Sequence, residues 1–99
     1  MNPFDSDNAK LLVSALTRPR NEHEMRIFLE DLLTAQEIVE IARRMRVAKL
    51  LYEHTTYDEI ARLTGASTAT ISRVNRCIRF GEGGYENVLE QMTGKEEPN

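Results

Sequence analysis

An all-α fold of about six helices is what this sequence predicts, and three observations predict it. Prolines stand only at 3, 19 and 98, and glycines only at 65, 81, 83, 84 and 94, so the stretch 20–64 holds neither helix breaker. Apolar residues recur at i, i+3, i+4 and i+7 rather than at alternate positions. Two Thr-x-x-Glu boxes, Thr34 to Glu37 and Thr56 to Glu59, mark helix starts ahead of apolar runs. At 99 residues, 40% apolar and 29% charged, the chain has the size and make-up of one soluble domain. A core this small gains burial when two copies pair, so a homodimer is expected on size alone.

The elements follow in order. Residues 7–16 place Leu11, Leu12, Ala15 and Leu16 on one face. Thr17-Arg18-Pro19 interrupts them, and Pro19 is suited to the first turn of a second helix over 20–33. There Met25, Phe28, Leu29 and Leu32 form a single stripe. The Thr34 box opens a long helix to about His54, striped by Ile38, Ile41, Ala42, Met45, Ala48 and Leu51 or Tyr52. The Thr56 box opens a short helix over 57–63. After a turn at 64–66, Ser67 is the natural cap for a helix reaching about Phe80. Gly81-Glu82-Gly83-Gly84 ends it with left-handed glycine geometry. A last helix over 85–92 carries Tyr85, Val88, Leu89 and Met92, and 94–99 reads as a disordered acidic tail. The domain layout is thus 1–55 for dimerisation, 56–80 as a helix-turn-helix and 85–92 as the closing helix, all within one domain over 1–93.

Charge and composition narrow the function. The net charge of −3 conceals a strong polarity. Residues 1–42 carry four Lys/Arg against eight Asp/Glu, 43–80 carry eight against three, and 81–99 carry one against five. The basic middle is the electrostatic footprint of a nucleic-acid surface. Read alone, it is matched as well by an ordinary solvated face. A single cysteine, Cys77, allows no disulfide within the chain. No membrane partner is expected, for want of a spanning run, and no basic, apolar leader is present. A cytoplasmic protein with a reduced thiol is expected. Catalysis finds no support, and the chain is expected not to be an enzyme. His23 and His54 lie in different segments, no Cys/His cluster has metal spacing, and no glycine-rich loop follows a strand.

The informative stretch is 56–80. Ala61, Gly65 and Ile71 have the spacing of a DNA-binding helix-turn-helix: a small residue for close helix approach, a glycine for positive φ, and an apolar residue filling the angle. Ile60, Leu63, Val74 and Ile78 complete the wedge, with Cys77 packing on the inner side. The outward residues Ser67, Thr68, Ala69, Thr70 and Ser72 are small, and most carry a hydroxyl. A helix N-terminus so lined can seat in a major groove. Arg73, Arg76 and Arg79 add a basic flank for phosphate or guanine. The DNA-contacting set is therefore Ser67, Thr68, Ala69, Thr70, Ser72, Arg73 and Arg76, acting on double-stranded DNA. The competing reading is a helical dimeric protein-interaction module whose helix-turn-helix only packs on a partner. Single-stranded RNA ranks lower, because few aromatics are available to stack on bases.

Leu33-Thr34, Arg43-Arg44, Leu50-Leu51 and the run Thr64-Gly-Ala-Ser-Thr-Ala-Thr-Ile-Ser-Arg73 resemble the tryptophan repressor (TrpR) superfamily. With Phe80-Gly-Glu-Gly-Gly-Tyr85, the stretch is most similar to its TrpR-like YerC/YecD branch. The resemblance covers about residues 25–92. It implies a transcriptional regulator, in most members a repressor, built as an intertwined six-helix dimer with two projecting reading heads. It also implies a small co-ligand between the long central helix and the recognition helix, held by Arg44 and Arg73 with Thr34 nearby. Two positions depart from that pattern. Val74 replaces a glycine that leaves room for the indole, and Cys77 replaces a serine near the amino group. A valine there clashes with a ring or removes its slot, which argues against tryptophan. Arg44 and Arg73 are then left for a different anionic co-ligand, or for solvent or DNA phosphate.

Overall fold

A computed structural model describes residues 2–96. A 3-10 turn, Pro3–Asp5, precedes six α-helices: α1 Asp7–Leu16, α2 Glu22–Leu32, α3 Ala35–Tyr52, α4 Tyr57–Thr64, α5 Thr68–Phe80 and α6 Gly84–Glu96. No strand occurs among the described residues. The chain forms two compact units, Met1–Ile38 and Val39–Asn99, with the boundary inside α3.

In the first unit, local chemistry sets each helix start. The Ser6 hydroxyl accepts the Ala9 N–H at 3.1 Å. The Asn21 side chain accepts the Glu24 N–H at 2.9 Å, so α2 begins at Glu22 rather than at Pro19. Asn21 is a strong cap and outcompetes the proline for that role. At Thr34 the capping box is reciprocal: the Glu37 N–H donates to Thr34 Oγ1 at 3.1 Å, and the Thr34 N–H donates to Glu37 Oε1 at 2.9 Å. The Thr34 backbone N–H, and after it the hydroxyl, hold the Glu37 carboxyl below the usual glutamate range. No described residue before Val39 is buried. Leu11 is 70% exposed and Ile27 49%.

The second unit contains the core. Val47 and Ala48 of α3, Ile60 of α4, Ala66 of the turn, Ile71 and Val74 of α5 and Leu89 of α6 are its buried residues. Val47 lies off the stripe expected for α3 yet is fully buried, because helices on more than one side close over this end of α3. Two features end α3. The Thr55 N–H donates to the Leu50 carbonyl at 2.9 Å and the His54 N–H to the Leu51 carbonyl at 3.0 Å. This paired closure needs one left-handed residue, supplied here by His54 at φ 63.

At the other end of the unit, α6 runs to Glu96, four residues beyond its expected stop. Residues 93–96 hold no proline, and each further residue adds one backbone hydrogen bond. The first residues of the expected acidic tail are therefore helical, while 97–99 lie outside the described residues. Gly81 closes α5 in extended geometry, at φ −85, not in the left-handed region. Its need for glycine is steric: an added Cβ would lie 2.3 Å from the Cys77 carbonyl oxygen.

Candidate nucleic-acid interface

The turn between α4 and α5 is braced at three points. Gly65 adopts φ 73, and its N–H reaches the Ala61 carbonyl at 2.9 Å. The Thr64 hydroxyl donates to the Ile60 carbonyl at 2.7 Å and accepts the Ala66 N–H at 3.1 Å. Ala66 is buried in the core behind the turn. Ile60 and Ile71 fill the angle between the helices, with Ala61 and Ile78 packed alongside. Leu63, expected in this wedge, is 53% exposed, since the short α4 turns that face to solvent. The box at Thr56 is one-sided. Its hydroxyl accepts the Glu59 N–H at 3.3 Å, but the Glu59 carboxylate binds the Arg62 guanidinium, which lowers the Glu59 pKa.

The wedge presents the opposite side of α5 to solvent. Ser67, Thr68, Ala69, Arg73 and Arg76 are exposed, and Thr70 and Ser72 are half-buried. Ser67 Oγ accepts the Thr70 N–H and donates to Thr70 Oγ1, both at 3.1 Å. These two hydroxyls therefore serve the cap before any ligand. Thr68 is exposed, and among the described residues its hydroxyl has no partner. Arg73, Arg76 and Arg79 make no ion pair among the described residues, whereas Arg43, Lys49 and Arg62 are paired with Glu40, Glu53 and Glu59. Arg79 lies over the exposed Phe80 ring, 5.9 Å from its centre.

One signal was missed in the sequence although it is written there. The first turns of α1, α2, α3, α4 and α6 each hold a carboxylate that offsets the positive end of the helix. The first turn of α5 holds none.

Arg44, Ala69, Thr70, Arg73, Val74, Cys77 and Tyr85 line a cleft of about 400 Å³. Arg44 and Arg73, expected to share a ligand site, are thus brought together. Thr34 is not among the lining residues; it belongs to the first unit, where its hydroxyl takes the Glu37 N–H. Cys77 is exposed at the cleft rather than packed inside, because Val74 and Ile78 take the inner face of α5.

The family model for the Trp repressor protein matches residues 7–93. The chain belongs to the Trp repressor family. Members are DNA-binding regulators and not enzymes, as expected from the sequence. The uncharacterized protein YerC of Bacillus subtilis is 49% identical over 65 residues, covering 66% of this chain and 62% of YerC. The chain thus matches a little over three fifths of that relative's length. A TrpR-like protein from Eubacterium eligens superposes with a TM-score of 0.88 at 42% identity, covering 94% of this chain and 96% of that one. A proposed Trp repressor from Staphylococcus aureus gives 0.86 at 33% identity, over the whole of both chains. The Trp repressor fold, and the likeness to YerC expected from the recognition-helix motif, are both present. No helix among the described residues is long and apolar enough to cross a membrane.

Proposed function

We propose that this Trp repressor family member is a sequence-specific, cytoplasmic repressor that binds double-stranded DNA as a homodimer. The recognition helix is α5, entering the major groove by its N-terminal turn. Thr68, Ala69 and Ser72 face base edges. Ser67 and Thr70 hold the cap, with the remaining capacity of their hydroxyls turned to the groove. Arg73 and Arg76 bind phosphate or guanine. The observation that carries this reading is the exposed first turn of α5, bare of carboxylates and followed by three arginines without ion pairs. A helix end of this kind attracts phosphate.

Pairing is supported by the first unit. Its helices carry exposed Leu11, Leu12, Val13, Ile27 and Leu32 and bury no side chain. Apolar exposure on this scale is an interface in waiting. Residues 1–55 act as the dimerisation part and 56–80 as the head of a single domain. Two heads roughly 34 Å apart read a near-palindrome.

Selection of bound sequences from a random duplex pool, followed by a salt series, tests the reading. Recovery of a two-fold symmetric site is expected, with log affinity falling steeply against log salt. A protein that retains no duplex even at low salt is a protein-interaction module instead.

A further inference from the structure

The family implies a tryptophan co-ligand beside the recognition helix, and the residues of the α3/α5 cleft do not fit one. Val74 sits on the inner side of α5, 3% exposed, within the same cluster as Val47, Ala48 and Ile71. Its branched carbons occupy the inner end of the cleft. From α6, the half-buried Tyr85 contributes an aromatic ring of the chain's own to the same lining and packs against the core. What stays open is the outer shelf, bounded by the exposed Arg44 and Arg73.

We propose that Val74 and Tyr85 are a built-in replacement for the co-ligand, holding α5 in its reading position so that DNA is bound without tryptophan. A ring inserted between helices can fix their relative position only by filling space between them, and interiors are close-packed enough that side chains of the chain do the same. With that space filled from within, a planar aromatic ligand has no slot. Arg44 and Arg73 are left to face the phosphate backbone. This rests on α5 being the DNA-reading helix, as argued above.

The test uses the full-length protein, dialysed free of small molecules, in two separate measurements. Calorimetric titration with L-tryptophan is expected to show no saturable binding up to about 1 mM; a saturable isotherm overturns the proposal. Affinity for the selected duplex is expected to change by no more than about twofold when tryptophan is added, against the roughly 5–150-fold change of an effector-coupled regulator. A requirement for tryptophan overturns it. Tyr85→Ala and Val74→Ala, each checked for helicity and dimer mass, are expected to weaken binding at least fivefold, the low end of that range. Wild-type affinity in both folded variants overturns the filling role. If no duplex is retained under any condition, the reading of α5 fails, and the calorimetric arm alone decides whether tryptophan is excluded.

Discussion

Replacing Gly65 isolates the contribution of one backbone angle. The residue sits at φ 73, and a Cβ built there meets no heavy atom within 4 Å. Substitution therefore adds no clash, and the whole penalty is the strain of a left-handed L-residue. For alanine that is about 1–2 kcal/mol. Asparagine should lose less, since it tolerates this region. Valine should lose more, roughly 2–3 kcal/mol, because a branched Cβ resists it. In a domain of this size each kcal/mol lowers Tm by about 4–8 °C. Far-UV melts at one fixed protein concentration should rank the series Gly, Asn, Ala, Val from most to least stable. The control is Gly84→Ala, at a helical position with equally open space, which should be neutral or slightly stabilising. If Gly65→Val melts with the wild type, the turn does not depend on that angle and the geometry of the head must be held by other contacts.

Arg73→Ala and Arg76→Ala should each reduce the salt slope of duplex binding by about 1 while leaving dimer mass unchanged; unchanged affinity in both would remove α5 from the interface. Gly81→Ala should destabilise by about 1–3 kcal/mol, since its Cβ is driven against the Cys77 carbonyl, and urea titration reads this directly. His54→Gly should stabilise by roughly 0.5–1 kcal/mol by relieving the left-handed end of α3, visible as a higher melting midpoint. Glu37 and Glu59 have lowered pKa values in the folded chain, so their contributions are complete above the ordinary 4.5 and fade as pH falls through the lowered values. Glu37→Gln should flatten the acid side of the stability profile between about pH 5 and 3, and a profile identical to the wild type would count against the capping box as its source.

Local chemistry was the most legible layer. Ser67 caps α5, Gly65 takes positive φ, Thr34 and Glu37 close their box, and Ile71 fills the wedge, each as residue type and spacing dictate. The differences arise where two local solutions compete. Asn21 displaces Pro19 as the start of α2, and Arg62 draws Glu59 away from the Thr56 N–H. His54 ends α3 where no glycine announced a stop. Burial that depends on several helices at once was harder to read. Val47 is core although it lies off the α3 stripe, while Leu63 and Cys77 are exposed although they follow apolar neighbours. For the interface, the small polar face of α5 was plain from the sequence. The mutual bond between Ser67 and Thr70 depends on rotamers, which spacing alone does not determine.

The helices ahead of Val39 bury nothing within one polypeptide, and this makes abundance part of the regulatory circuit. A lone copy, with its greasy helices bare, is ready prey for proteases and holding chaperones. Once pairing is required, promoter occupancy at low expression rises with the square of the copy number rather than in proportion to it. Halving the cellular dose at division then lifts control by about fourfold in that regime, by mass action on the pairing step alone.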